Sequence, residues 1–450
     1  MSDRPLSQWA RDHLWFPFSR PGEINGEPIP TLLTEGSGSW ITRSNGDRLL
    51  DGVGGMEAMA VGHGQQRLID AATRQLSKLS FIDTFRYASE PAIELGHRLA
   101  EIAPPTLNRV HLTPGGSESV EAAIKLAIQY HYLRGERDRR KVVTRHGAFH
   151  GVTFGAMNCD GNYHSTRNDI YLGEHRFGVV AEPTTSMTGW GPGSEYSSGA
   201  TEIRAAVERT GPNKIAAIIV DGASTASGVA VPPPEDLHAI RELCDEYGIL
   251  MILDEVITGF CRTGSWFIST KYDIVPDLMP ISKAMSSGYI PIGGTMVSDR
   301  VVETFVNGSP ADNVFAHGQT FGAHPVACAV AIENLNLMEE ENYADRAEDM
   351  GKALRSTLRS LQHHETFVDI RGIGMVNGLE IQRLPDSKRF ATNKDAVNWL
   401  RVYLREHGLI LITIHPGNVF LVTPPIIASQ PEFDRMAEVL DIGLSALDAM

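Results

Sequence analysis

Two short, unbroken apolar runs, Ile215 to Val220 and Ile249 to Leu253, flank a helical pattern from Pro234 to Tyr247 and constrain the fold more than any other feature. A strand that alternates apolar and polar leaves one face in water, whereas a run with no polar position reads as buried on both faces. Between the runs, Leu237, Ile240, Leu243 and Cys244 fall on one helical stripe. Strand, helix, strand at this spacing joins parallel strands and lays a helix on the sheet face. The pattern therefore predicts an α/β fold with a parallel sheet.

Other segments fit that frame. Ser117 to Arg134 reads as a helix whose apolar side carries Val120, Ile124, Ala127 and Ile128. From about Ile332 the chain turns to helix and strand with more charge: Asn336 to Arg359, then Phe367 to Ile381, then Lys394 to His407. That suggests a second, smaller α+β lobe. The first fifty residues, rich in Pro, Gly and aromatics, read as a wrapping segment.

Composition narrows the class of partner. The chain has 450 residues, of which 42% are hydrophobic and 21% charged, an ordinary globular balance with ample material for a large core. Its formal charge of −15 argues against nucleic acid and anionic membrane, both of which need a basic footprint. Cys159, Cys244, Cys261 and Cys328 are scattered and form no C-x-x-C, which fits unpaired thiols in a reducing compartment. The start, Met1-Ser2-Asp3-Arg4-Pro5, shows no signal-peptide pattern. No apolar run approaches the roughly 20 residues of a membrane span. The expectation is a soluble cytoplasmic protein.

Three sites carry chemistry-bearing residues. Thr113-Pro114-Gly115-Gly116-Ser117-Glu118 opens a helix, where glycines let the backbone approach an anion and free N–H groups receive it. An ordinary N-cap with acidic residues in the first turn explains the same letters. Asp254-Glu255 follows the strand that ends at Leu253, and ligands of parallel sheets bind at the carboxyl ends of strands. A turn or helix cap is the plain alternative. Lys283 sits in Ile281-Ser282-Lys283-Ala284-Met285-Ser286-Ser287-Gly288-Tyr289, a loop of small residues that a flat, bulky group could approach. Most lysines are solvated surface charges. The spacing from Asp254 to Lys283 fits one more helix–strand excursion that returns the lysine to the carboxylate. A phosphate cradle, a carboxylate for a pyridinium nitrogen and a Schiff-base lysine together are what pyridoxal phosphate requires. Phe149, in Arg145-His146-Gly147-Ala148-Phe149-His150-Gly151, could stack on its ring or be a plain core aromatic.

These segments resemble the class III aminotransferases. The resemblance rests on Gly115-Gly116-Ser117-Glu118, Phe149-His150-Gly151, Asp254-Glu255-Val256-Ile257-Thr258-Gly259-Phe260 with Arg262-Thr263-Gly264, Ser282-Lys283, and Gln319-Thr320-Phe321-Gly322-Ala323-His324-Pro325. His13-Leu14-Trp15-Phe16-Pro17-Phe18 resembles the family's N-terminal segment. The match runs in order from about residue 10 to the C-terminus. It implies fold type I: a large domain with a mainly parallel, seven-stranded-type sheet and a smaller α+β domain. The implied division is an N-terminal segment (1–55) joining the small domain, a cofactor-binding domain (56–325) and a C-terminal small domain (326–450). It also implies an obligate homodimer, possibly a dimer of dimers, with active sites at the subunit interface. By resemblance, Lys283 is catalytic, and Gly115, Gly116 and Ser117 hold the phosphate. Phe149 stacks on the ring where the family usually has Tyr, with His150 beside it. Asp254 pairs with the pyridine nitrogen, Val256 packs on the opposite ring face, and Thr320 reaches the phosphate from the neighbouring subunit. Ile257, often Gln in α-ketoglutarate users, resembles the ω-amine and ω-amino-acid branch. The implied reaction moves an amino group from an amine donor to a keto acid, pyruvate by family habit, in ping-pong order.

The chain also departs from the pattern. Many relatives have Glu-Pro where this one has Asp221-Gly222. Many carry a switching arginine just before the C-terminal Pro-Pro, which binds the keto acid's α-carboxylate. From Leu409 to Pro425 there is no arginine, and Ile414 or His415 stands in its place. Lyases and aminomutases of the family, which need one substrate only, are the alternative this absence favours. Glu57 stands where similar ω-transaminases have Trp at the pocket wall. Phe85 and Arg86 fall in a segment that lines the partner's pocket in relatives, and Trp15 and Phe18 join the expected substrate wall. An acid and a base there could hold a zwitterion, or an amine plus an anion. Both could equally be rim charges.

Overall fold

The computed structural model describes residues 4–23, 31–161, 165–182, 199–309, 311–382, 389, 392–414 and 418–450. The predicted strand–helix–strand unit is present at the centre of a seven-stranded sheet. Its strands are β1 (Arg109–Thr113), β2 (Lys141–Arg145), β3 (Gly178–Ala181), β4 (Ile215–Asp221), β5 (Leu250–Asp254), β6 (Leu278–Ile281) and β7 (Gly293–Val297). They lie in the order β1-β7-β6-β5-β4-β2-β3. Neighbours pair in parallel except β7, which runs antiparallel to both β1 and β6. Every residue of β4 from Ile215 to Val220 and all of β5 are buried, as apolar runs without alternation require. Fully burying each Ile or Val contributes about 1.5–3 kcal/mol.

Two helices fix the site's approach. The helix α1 (Gly116–Leu133) buries Val120, Ile124 and Ala127 against the sheet. The helix α2 (Pro234–Tyr247) buries Leu237, Ile240, Leu243 and Cys244 on the other side. It begins with Pro234, where a missing N–H costs nothing, and ends at Gly248 with φ 65°, which turns the chain into β5. The parallel register sets Asp221 beside Asp254, so both carboxylates leave the sheet at the same end.

The C-terminal region adds helices α3 (Pro325–Glu340), α4 (Tyr343–Arg359), α5 (Asn393–Glu406) and α6 (Gln430–Asp448). It also adds strands β8 (Phe367–Ile373), β9 (Val376–Ile381), β10 (Ile412–Ile414) and β11 (Val419–Val422), paired antiparallel in the order β8-β9-β11-β10. The helical pattern from Asn336 to Arg359 is not one helix. Asn342 takes φ 52° between α3 and α4, a left-handed turn that Asn tolerates better than most residues and that hydrophobic spacing does not register. One apolar cluster links both regions, from Met279 and Met296 through Leu335 and Leu354 to Phe420 and Leu440. Arg48–Asp51, the third strand of an antiparallel N-terminal ribbon, pairs in parallel with Leu409–Ile410. Cys159, Cys244, Cys261 and Cys328 are all buried and unpaired.

Candidate active site

At the carboxyl ends of β4, β5 and β6 lies a cavity of ≈ 200 Å³ lined by Gly116, Ser117, Phe149, His150, Gly151, Asp221, Asp254, Val256, Ile257 and Lys283, among others. The phosphate candidate, the carboxylate and the lysine, far apart in sequence, therefore share one space. The excursion that returns Lys283 to Asp254 is shorter in helix than the spacing predicts: only Ile268–Lys271 is helical before β6.

Each group is positioned by its local backbone. Gly116 begins α1, and a Cβ there would stand 2.9 Å from Val256 Cγ1, so only Gly leaves the approach to the helix N-terminus open. Ser117 Oγ accepts a hydrogen bond from Val152 N at 3.1 Å, which ties the helix start to the Phe149–Gly151 turn. Gly151 has φ 138°, and a Cβ there would meet Ser117 Oγ at 2.7 Å. Asp254 Oδ1 accepts from Val256 N at 3.0 Å, and Oδ2 lies 2.7 Å from His150 Nδ1. Asp160 Oδ1 accepts from His150 N at 2.9 Å and fixes the backbone that carries that ring. Burial pulls the His150 imidazole down, but Asp254, Asp221 and Asp160 outweigh it and hold the group above its ordinary value. Lys283 takes φ 47° at the end of β6, a left-handed residue that lifts its side chain out of the sheet's path.

Glu255 and Arg262 belong to the same sequence stretch and serve the scaffold. Glu255 is fully buried and accepts from Ser269 N and Oγ at 2.7 Å each, from Ile268 N at 3.1 Å, and from Thr258 Oγ1. Burial nevertheless raises its carboxyl, against those hydrogen bonds. Arg262, also fully buried, donates to Thr423 O at 3.2 Å, Pro424 O at 2.7 Å and Met59 O at 3.0 Å. Burial brings its guanidinium down to about 10, with Glu57 and Asp51 opposing.

That arginine anchors the loop carrying Glu57. Gly54, Gly55, Met56 and Glu57 all have φ between 52° and 67°. Asp51 supports the turn by accepting from Val53 N at 3.2 Å and Gly55 N at 2.9 Å. Left-handed backbone costs about 1–2 kcal/mol at each of the two non-glycine residues. The strained turn buries Glu57, only 2% exposed, and places its Oε2 in contact with Lys283 Nζ. Sequence reading puts Glu57 at a pocket wall; contact with the lysine itself is new. Its only sequence signal is a charged residue directly after Gly54-Gly55-Met56 in an apolar stretch.

The remaining substrate candidates lie elsewhere. Trp15, Phe18 and Phe85 are exposed (75%, 63% and 66%). Arg86 is exposed and pairs with Asp83 at 2.8 Å. Thr320 is exposed, and neither it nor Gly115 lines the cavity. In a single chain these residues are not gathered with Lys283. Where an arginine is absent, Ile414 is buried beside Val229, Val376 and Val419, with Ile257 packed on that cluster; His415 lies outside the described residues.

The cavity fits pyridoxal phosphate. It offers a helix N-terminus cleared by Gly116 for the phosphate and a carboxylate fixed by two hydrogen bonds for the pyridine nitrogen. His150 Nε2 and Asp221 Oδ1 are buried there without a protein partner, so polar groups remain for a ligand to satisfy.

Comparisons agree with the geometry. The family model described as aminotransferase class-III matches residues 22–442. The putrescine–pyruvate aminotransferase of Pseudomonas aeruginosa is 32% identical, with 98% of this chain and 95% of that one covered. An (S)-enantioselective omega-transaminase from Thermomicrobium roseum superposes with a TM-score of 0.87 at 33% identity, covering 99% of each chain. An omega-transaminase from Pseudomonas jessenii, solved in complex with PMP, superposes at 0.89 with 29% identity, covering 98% of this chain and 99% of that one. The chain therefore belongs to the class III aminotransferases, pyridoxal-phosphate-dependent enzymes of fold type I.

Proposed function

We propose that this enzyme is an ω-transaminase that moves an amino group from an amine or ω-amino acid to a keto acid, pyruvate, in ping-pong order. The observation that carries this reading is the convergence of Lys283, Asp254 and the Gly116–Ser117 helix start on one cavity. The names of the relatives support the amine side and the pyruvate side alike.

The roles follow from position. Pyridoxal phosphate, when bound, supplies an aldehyde that takes up an amino group and a ring that draws electrons from the substrate carbon. Ser117 Oγ and the N–H groups that open α1 hold the phosphate. Asp254, oriented by His150 and Val256 N, keeps a proton on the ring nitrogen. Val256 and Phe149 bound the flat part of the cavity. Lys283 would hold the cofactor covalently, and its Nζ, once free, would act as the general base and acid that moves the donor carbon's proton. Glu57, buried against Nζ, attracts the donor's ammonium and accepts a proton from it, leaving the amine free to react. On this basis Glu57→Gln raises KM about tenfold for amine donors and leaves KM for pyruvate near its wild-type value. Equal changes for both substrates would remove Glu57 from donor recognition.

We also propose a cytoplasmic homodimer. Trp15, Phe18, Phe85, Arg86 and Thr320, exposed in one chain, then border the partner subunit's cavity. A second reading, a lyase or aminomutase working on one amine, is favoured by the buried Ile414 where a keto-acid arginine is missing. A half-reaction separates the two. A donor alone converts the cofactor spectrum to the aminated form in a transaminase and leaves it unchanged in a lyase. A panel of donors with pyruvate, read by alanine formation, then identifies the preferred amine.

A further inference from the structure

We propose that the C-terminal region carries a divalent transition-metal site, of zinc type, built from His363, His364 and Asp441 and remote from the cofactor cavity. Among the described residues this is the one group of His, Cys, Asp and Glu side chains whose ligand atoms converge, all within 4.8 Å of one another.

The hydrogen bonds decide which atoms are free to bind. His363 Nδ1 is 2.8 Å from Ser360 O, a carbonyl that only accepts, so Nδ1 carries the proton. His364 Nδ1 is 2.7 Å from Asp448 Oδ2. The other oxygen of Asp448 is taken by Thr366 N at 3.2 Å and Thr366 Oγ1 at 2.7 Å, so this carboxylate is itself fixed. In both neutral rings Nε2 then bears a lone pair. Both lone pairs meet the same atom, Asp441 Oδ1, at 3.2 Å from His363 and 3.0 Å from His364. While both rings are neutral these three acceptors have no proton between them; a proton on His364 alone reaches Asp441 but leaves His363 Nε2 facing an acceptor, so only two cations would satisfy both contacts. Those rings stack with centroids 4.1 Å apart, an unfavourable place for two positive charges. A single divalent cation satisfies all three atoms at once.

The geometry suits that cation. Tetrahedral zinc with ligands at about 2.0–2.1 Å sets its donor atoms about 3.4 Å apart, close to the two nitrogen–oxygen distances here. Each ligating imidazole already donates its other N–H, one to a carbonyl and one to a carboxylate, as metal-bound histidines do. His364 is buried while His363 and Asp441 reach solvent, which gives an entry path and an open coordination position for water. Two imidazoles and one carboxylate favour zinc over calcium or magnesium. His363 and His364 close the turn after α4, and Asp441 and Asp448 lie seven residues apart on α6, so the ion ties the last helix to the lead-in of β8.

The test uses cofactor-loaded enzyme stripped with chelator and titrated with Zn²⁺ by calorimetry, with Co²⁺ absorption as a reporter of coordination. Expected are one ion per chain and a tetrahedral Co²⁺ band. Both should be lost at least about a hundredfold in affinity in Asp441→Asn and in His363→Gln, which sit at the surface and should fold. Asp448→Asn, which never touches the ion, should weaken binding about 10–100-fold. Transamination without added metal should be unchanged in all three variants. The proposal is overturned if the wild-type chain takes up no zinc, or if its zinc affinity is the same in Asp441→Asn and His363→Gln.

Discussion

The two ends of the active-site cavity are built differently. At the cofactor end, Ser117, His150 and Asp254 are each fixed by hydrogen bonds from their own chain, and Asp254 and His150 are buried. At the other end, Glu57 reaches Lys283 from a strained turn, while the substrate candidates Trp15, Phe18, Phe85 and Arg86 stand in solvent. One end is held together by hydrogen bonds within the chain, and the other presents exposed side chains. The difference shows that the Asp254 surroundings are ordered by the fold itself, whereas the candidate substrate residues are left uncommitted by it.

Substitutions test that difference directly. Lys283→Ala should lower transamination by about 10²–10⁴-fold, the usual share of a positioned acid–base group. Borohydride, which fixes the wild-type cofactor, should then leave it removable by dialysis. Asp254→Asn keeps an oxygen for His150 but loses the charge. A drop in kcat of about a hundredfold is expected from losing a preorganised electrostatic contact, and a rate within a few-fold of wild type would exclude the pyridinium role. Ser117→Ala removes one hydrogen bond of about 1 kcal/mol. Cofactor affinity should fall about fivefold by equilibrium titration, with kcat at saturation little changed.

The substrate end should answer more selectively. Arg86→Ala should raise the apparent KM for anionic substrates about threefold, as loss of an exposed charge contact allows. An equal rise for a plain amine would make Arg86 a structural rim charge.

The smallest effect concerns pH in the cofactor-free enzyme. His150 is held above its ordinary 6.5, so the stability it gains from Asp254, Asp221 and Asp160 is complete below that value. That stability is lost as pH rises through the raised native value. Denaturant midpoints measured from about pH 6 to 9 should fall more in the wild-type chain than in His150→Gln; parallel curves would count against the pairing.

The grouping of Gly116, Ser117, Asp254 and Lys283 on one cavity was readable in the letters because it depends on local chemistry. Glycines before a helix, a carboxylate after an apolar strand and a lysine among small residues each sit where strand and helix patterns place them. Parallel pairing of β4 with β5 then brings Asp221 and Asp254 together without further instruction. What escaped sequence reading is what periodicity cannot encode. The break at Asn342 is a single backbone angle, and the contact between Glu57 and Lys283 depends on four successive left-handed residues. The His150–Asp254 hydrogen bond joins two strands' ends through a turn whose path no pattern specifies. The exposure of Phe85 and Arg86 in one chain likewise follows from no local rule.

The parallel pairing of Arg48–Asp51 with Leu409–Ile410 has a consequence for the order of assembly. Leu50 meets Trp40 on one side and Leu409 on the other, so the strand directly before the Glu57 turn finds its second neighbour only when nearly the whole chain is present. Closing so long a loop adds little to its entropic cost, which grows by about 0.6 kcal/mol per doubling of length, but it delays the contact. During synthesis the central sheet can therefore form with Asp254 and Lys283 in place while the Glu57 arm still waits. The lysine is in place before the acid that meets it.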